Sequence, residues 1–269
     1  MTNIICPVCG KALEKDNRSY KCENRHSFDE AKEGYVNLLV SSKAGSLIGD
    51  NKDMAKSRRD FLSKGYFSAL SDEIVKIIGE SRKLNPLICD ICCGEGWYGD
   101  YIKSRFPCCM VGFDISKEMI RLAAKRHNGS TYFVANLSKI PLQSQSVDIA
   151  FHLFAPFHEK EFSRIIKKDG LIITAVAGED HLFELKEILY DTPYKNDEEP
   201  PKAETLKLKE KRKVKKKIHL SGKEDIDALF RMTPYYYHTS EKDKAKLELY
   251  TELDVTVEFV IYIYGKTDC

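Results

Sequence analysis

The sequence predicts an α/β fold, a doubly wound and mostly parallel sheet, preceded by a small module stapled by a metal. Three observations carry that expectation. Short apolar runs alternate with amphipathic stretches from Phe61 to Val176. The first such run enters a glycine-bearing turn that opens a helix. Ahead of both, cysteines and a histidine recur at the spacing of metal ligands.

With 269 residues, 42% hydrophobic and 31% charged, the chain can bury a core of one or two domains. No apolar run approaches the ~18 residues that cross a bilayer. Met1 to Cys6 lacks the charged start and apolar stretch of a secretory leader, so a cytoplasmic protein without membrane contact is expected. In that reducing setting the nine cysteines read as metal ligands and buried thiols, not disulfides.

Cys6-Pro7-Val8-Cys9 is followed, after twelve residues, by Cys22 and then His26, a C-x2-C and C-x3-H pair of pairs. Each pair sits in a tight turn, and the segment between them is long enough for a hairpin that brings four ligands onto one tetrahedral zinc ion. A redox C-x-x-C would sit beside a βαβ unit and would lack the second pair. Three Cys and one His close the shell, so the zinc is structural and chemistry must come from elsewhere. A segment of about forty residues cannot build a strong core alone, and the metal supplies its folding energy.

Residues 38–84 read as linker and helices, with an amphipathic pattern from Phe61 to Ile78 broken near Gly65. The domain beyond, 85–269, starts with the strand Leu87-Ile88-Cys89-Asp90-Ile91, a turn through Cys92, Cys93, Gly94, Glu95 and Gly96, and a helix from Trp97. A second strand ends at Asp114, about twenty residues past the turn, where an acid accepts hydrogen bonds from ribose hydroxyls. Ser116 caps the next helix, and further strands are expected at Thr131–Ala135, Val147–His152 and Leu171–Val176. A dinucleotide site wants G-x-G-x-x-G against a pyrophosphate, but here Asp90 precedes the turn and Glu95 sits within it. The D-x-x-x-G-x-G pattern suits S-adenosylmethionine, which carries a cationic sulfonium and no phosphate. Asn136, just past the third strand, can meet the adenine edge. The fold expected is therefore the class I, Rossmann-like methyltransferase sheet.

Phe154-Ala155-Pro156-Phe157 follows the fourth strand at the edge where open α/β sheets bind ligands, and its rings either stack a flat base or pack under a helix. His152 and His158 flank it, and neither is assigned as a base. Glu198-Glu199-Pro200-Pro201 is expected to break the preceding helix. Between Lys202 and Lys217 nine basic residues stand against Glu204 and Glu210, a local +7 on a chain of net +2. Within this basic arm, 198–220, a block with no acidic partner nearby would grip phosphates; otherwise it is a solvated loop. Tyr235, Tyr236 and Tyr237 can stack unpaired bases or pack as a strand, and Val255 to Tyr264 reads as a closing strand.

The zinc pattern, the run Phe28-Asp29-Glu30-Ala31-Lys32-Glu33-Gly34-Tyr35-Val36-Asn37-Leu38-Leu39 and the glycine turn together resemble the bacterial 23S ribosomal RNA guanine-N1 methyltransferases. The likeness extends to Gly49-Asp50, Ser57-Arg58-Arg59, Phe154-Ala155-Pro156, His181-Leu182 with Glu184-Leu185-Lys186, and Met232-Thr233-Pro234. The resemblance implies methyl transfer from S-adenosylmethionine to N1 of a guanine in a hairpin loop of 23S rRNA, with residues 1–37 as a zinc-binding RNA-recognition module. It also suggests a role in antibiotic resistance. Cys6, Cys9, Cys22 and His26 match the zinc ligands. Tyr98 and Gly99 match the turn that contacts the donor, and His181 a histidine on the donor's side. With Asp90, Gly94, Gly96, Asp114 and Asn136 they make up the expected donor site. Two positions depart from the family: Phe67 stands where a tyrosine is usual, losing a hydroxyl, and Cys92 where a glycine is usual, which crowds the donor's approach. No general base is named, and a homodimer is left open. The rival readings are a small-molecule methyltransferase, which leaves the zinc module without a task, and an RNA-binding protein whose donor site has decayed.

Overall fold

The computed structural model describes residues 3–40 and 52–267. Gly49-Asp50 of the family-like segment lies outside the described residues. In the N-terminal module, β1 (Glu14–Asp16), β2 (Ser19–Lys21) and β3 (Ser27–Asp29) form an antiparallel sheet. β4 (Tyr35–Asn37) leaves it, and α1 (Lys52–Ser63) and α2 (Ser68–Glu80) follow. The alternating part comprises β5 (Leu87–Ile91), α3 (Trp97–Lys103), β6 (Cys109–Asp114), α4 (Lys117–Ala124), β7 (Thr131–Val134), β8 (Val147–Leu153), α5 (Glu159–Ile165), β9 (Ile166–Ala177) and α6 (Phe183–Leu189). The chain then forms β10 (Leu206–Ser221), α7 (Lys223–Arg231), two short helices α8 (Tyr235–His238) and α9 (Glu241–Lys244), and β11 (Glu252–Lys266).

The main sheet has eight strands in the order β10-β11-β9-β8-β5-β6-β7-β4. From β4 to β9 every neighbouring pair is parallel, while β11 runs antiparallel to β9 and to β10. β5 is buried at all five residues, as a central strand covered on both faces must be. Ser116 caps α4 as expected, its hydroxyl accepting from Met119 N.

The two faces are covered differently. On one, α1, α2, α3, α6 and α7 pack Phe61, Leu70, Ile74, Ile102, Leu185 and Leu229 against β5, β8, β9 and β11. On the other, a single apolar cluster joins Ile4, Leu13, Tyr20 and Val36 of the N-terminal module to Val111, Phe113 and Phe133 of β6 and β7 and to Phe162 of α5. The module thus lies where a doubly wound fold places a helix. Hydrogen bonds fix it there: Ile5 N donates to Pro141 O, Gln143 N to Asn3 O, and Lys139 Nζ to Pro7 O at 2.7 Å.

Three expectations on the C-terminal half are corrected. The helix before Glu198 ends at Leu189, well ahead of the proline pair, because Pro193 already bars its continuation. The extended segment after it is anchored by the fully buried Lys186, whose Nζ donates to Tyr194 O (2.9 Å) and Asn196 Oδ1 (2.8 Å) and lies over the Tyr194 ring. The three tyrosines form a helical turn, not a strand: Tyr235 is buried and Tyr237 exposed. The basic run is not a solvated loop. It is an outer strand paired along its length with β11.

Candidate active site and metal centre

The strand order reverses between β5 and β8, and there the carboxyl ends of β5, β6 and β8 open a cavity of ≈ 320 Å³. Asp90 and the turn from Cys92 to Glu95 form its floor, Asp114 and Ile115 one wall, Leu153 to Pro156 the other, and Arg58 and Leu62 of α1 close it from above. Trp97, Tyr98 and Met119 complete the lining.

The floor is acidic. Asp90 is buried, and its Oδ2 has no hydrogen-bond partner. Burial first, and the nearby Asp114 charge second, hold its carboxyl well above the usual aspartate range. It can lie so close to α3 only because residue 99 is glycine: a Cβ there would stand 2.8 Å from Asp90 Oδ2. Asp114 accepts from Gly94 N (3.0 Å) and Ser116 N (2.8 Å), which orients its carboxylate at the end of β6. Glu95 is less available than its place in the turn suggests, because Arg126 binds both its carboxylate and its backbone carbonyl. Burial nevertheless raises its carboxyl, and Oε1 remains without a partner. Burial also pushes the Cys92 thiol up to about 12 and raises the Tyr98 phenol.

The turn's backbone explains its composition. Gly94 and Gly96 have φ of +55° and +79°, and a Cβ on Gly96 would stand 2.9 Å from Ala123 Cβ. Cys92 also has positive φ, +55°, so a side chain stands where the backbone favours glycine. The opposite wall holds a second strained residue. Phe154, at φ +56°, is 41% exposed at the mouth of the cavity. Its turn is held by His152, whose Nε2–H donates to Pro156 O at 2.8 Å. Burial lowers the pKa of His152, which keeps the ring neutral in this role.

Asp90, Gly94, Tyr98 and Asp114 therefore meet at one cavity, with Gly96 and Gly99 shaping it from behind. Phe67 and His181 do not line it. They form an aromatic cluster with Phe259, at 5.0 Å from each ring, and Phe259 in turn lies 5.7 Å from Phe154. His181 Nδ1 accepts from Glu258 N, and burial pushes its pKa down to about 4. Asn136 is exposed and spends its side-chain oxygen on Ser138 N, capping a short turn outside the cavity. Arg58, Leu62 and Met119 were absent from the expected site. Their signals were the Ser57-Arg58-Arg59 run and the first turn of the helix after Asp114, but only the packing of α1 over the sheet brings them in.

The expectation that the basic block lacks acidic partners is overturned at its centre. Arg212 is held by Glu73, Glu80 and Glu210, Lys213 by Glu198 and the buried Glu258, and Lys215 by Asp180 and Glu258. These acids are up to 139 residues away in sequence and converge only on folding.

In the N-terminal module Cys6, Cys9, Cys22 and His26 place their ligand atoms within 4.8 Å of one another. Zn–S bonds of about 2.3 Å make a tetrahedron with S–S edges of about 3.8 Å. Cys9 Sγ lies 3.7 Å from Cys22 Sγ, and His26 Nδ1 lies 3.5 and 3.4 Å from the sulfurs of Cys6 and Cys22. The cage fits a four-coordinate structural zinc with no open position.

A Rossmann-like sheet with an acidic, phosphate-averse cavity at its switch point defines an S-adenosylmethionine-dependent methyltransferase, and the unpartnered Asp90 oxygen suits a cationic donor. When bound, that donor supplies an electrophilic methyl on sulfonium. Comparison with known proteins shows what the chain is similar to. Residues 4–46 match the family model described as "RlmA, N-terminal", and residues 88–170 match "Methyltransferase domain". The chain is 28% identical over 253 residues to the "23S rRNA (guanine(748)-N(1))-methyltransferase" of Streptomyces fradiae, covering 90% of this chain and 89% of that one. It is 27% identical to the "Putative 23S rRNA (guanine-N(1)-)-methyltransferase YxjB" of Bacillus subtilis, covering 96% and 95%. The resemblance read from the sequence is borne out. A solved "Putative Type II Methyltransferase" from Anaeromyxobacter dehalogenans shares the fold with a TM-score of 0.52 at 17% identity, over 72% of this chain and 95% of that one. No helix among the described residues is long and apolar enough to cross a membrane.

Proposed function

We propose that this protein methylates N1 of a guanine in a hairpin loop of 23S ribosomal RNA. The observation that carries the reading is the joining of a zinc ribbon to the donor-binding sheet in one hydrophobic cluster, in a chain similar along nearly its whole length to relatives so named. In this reading Asp90 holds the donor's cationic head, Asp114 its ribose hydroxyls, and Gly94 and Tyr98 the turn around it. Phe154, exposed and fixed by its strained backbone, offers the target base a stacking face beside the donor. N1 of guanine carries a proton that must leave as the methyl is transferred, and positioning of the base in line with the sulfur supplies much of the rate.

Purified, zinc-loaded protein incubated with labelled S-adenosylmethionine and unmodified 23S rRNA tests the proposal. Label should appear together with a single reverse-transcription stop at a loop guanine, since a methyl on N1 blocks base pairing. Label on a small acceptor and none on RNA would reject it. The crowding at Cys92 favours a second reading, a decayed donor site, and calorimetry decides it: absence of heat on titrating S-adenosylmethionine into folded protein would establish decay.

A further inference from the structure

The basic run does not act as one patch. Its middle, from Lys211 to Lys215, is tied up by the carboxylates of α2, of β10 and β11 and of the segments flanking α6. Its start is not. Lys207 and Lys209 open β10, and the strand register places Leu206 opposite Lys266 and Lys207 opposite Gly265. With Lys168, near the start of β9, these residues line one open basin of ≈ 630 Å³. Four ammonium groups surround it, and its one carboxylate, Asp169, is held by Lys83 at 2.6 Å. None of the four lysines has a carboxylate partner among the described residues.

The arrangement is built into the backbone. A β-bulge between Leu208 and Glu210 adds a residue to the strand at Lys209 and re-aims that side chain. The flexible end of Lys209 lies over Gly265, in space that a glycine leaves open. The basin also sits at the amino edge of the parallel strands, whereas the donor cavity opens at their carboxyl edge. Beyond the register irregularity at its start, β9 runs regularly from Leu171 to Ala175, opposite Leu153 of the cavity wall, and separates the two levels by about 13 Å at ~3.3 Å per residue.

We propose that this four-lysine basin is a second RNA contact, a sequence-independent grip on the phosphate backbone of the stem that carries the target loop. Lysines without acidic partners bind phosphates through counterion release and, as point charges, read no bases. The inference rests on the RNA reading above and sharpens it: the substrate recognised is a loop together with its stem, not a loop alone.

The test compares RNA binding by the full, zinc-loaded chain and by the triple variant Lys168→Gln/Lys207→Gln/Lys209→Gln. Two hairpins share one loop, on stems of about fifteen and about three base pairs, and affinity is measured over a range of salt. The variant should lose about 10- to 50-fold in affinity for the long stem at low salt, with a salt slope smaller by about three. It should bind the short stem and S-adenosylmethionine as the parent does. Lys213→Gln, which removes a lysine already engaged by Glu198, should leave the long-stem slope unchanged. Equal binding of the long stem by parent and variant, or an equal loss on both stems, overturns the basin. Binding is read without catalysis, so a protein that methylates no RNA but loses long-stem affinity in the variant would sink the proposed reaction and keep the basin. Normal methylation with unchanged binding would do the reverse.

Discussion

The two faces of the main sheet reach the same burial by different physics. One is covered by amphipathic helices whose apolar stripes are their own means of staying in place. The other is covered in part by a module of three-residue strands, too small for a core of its own, whose shape depends on four ligands meeting around zinc. The contrast teaches that the metal is a core element of the catalytic domain at one remove. Phe113 and Phe133 of the donor-binding sheet stay dry because Cys6, Cys9, Cys22 and His26 hold the lid over them.

Removing the metal should therefore break more than the module. Structural zinc contributes about 10 kcal/mol or more to such a unit, and each large side chain then exposed costs a further ~1.5–3 kcal/mol. Chelation, or Cys22→Ser, should lower the melting temperature of the whole chain by roughly 20 °C or more and produce dye-binding apolar surface. A module opened to protease with the main transition unmoved would show that the two faces are independent after all.

Asp90 sharpens the contrast from the helix-covered side, since it belongs to the site and not to the zinc lid. Asp90→Asn should weaken S-adenosylmethionine binding about 100-fold, ~3 kcal/mol, while raising thermal stability, because a buried and unpartnered charge is removed. The sign follows from the raised pKa of Asp90. Folding loses stability as pH climbs above the ordinary aspartate value and stops losing it beyond the raised one. Donor affinity should rise through the same window, as the carboxylate forms. Calorimetry across pH checks both, and a pH-independent affinity equal to that of the variant would remove Asp90 from the site.

His181 probes the packing of the helix-covered face. With a folded value near 4 against 6.5 for a free histidine, the unfolded chain takes up the proton first as pH falls. Its contribution is thus complete above 6.5 and is lost between 6.5 and 4, about 3 kcal/mol in all. Urea unfolding of His181→Phe should give a flatter dependence over that window, and an unchanged slope would mean that the ring is not held neutral.

The smallest effect belongs to the turn where the faces meet. Cys92→Gly should stabilise the fold by up to ~1 kcal/mol, because the left-handed strain exceeds the entropy a glycine adds to the unfolded chain. Denaturant midpoints decide it, and a loss of stability would show that packing of the thiol outweighs the strain.

Much of this was legible in the sequence because it is local. The ligand spacing of the zinc cage, the strand-turn-helix at Asp90 and the acid at Asp114 are each contained in a few dozen residues. What escaped is what distant residues do to one another. Nothing near Arg212 foretells Glu73 and Glu80, and nothing near Val36 foretells its parallel pairing with Phe133. The basic run therefore reads as a free charge of +7 when most of its middle is spoken for. Asn136 and His181 show the converse: a residue of suitable chemistry, at a suitable place along the chain, whose side chain the fold turns to capping or to aromatic packing.

The outer strand β10 has one more consequence. A sixteen-residue strand at the rim of a sheet exposes a long row of unsatisfied amides and carbonyls, the template on which chains stack into aggregates. Here most exposed positions along that rim are lysines, and Lys207, Lys209, Lys216 and Lys217 have no carboxylate partner among the described residues, so a second strand of like charge approaching edge to edge is repelled there. The opposite rim ends in β4, only three residues long and continuous with the zinc ribbon, and offers almost nothing to extend. The lysines that colour the composition of this protein therefore also guard this edge against pairing with a further strand.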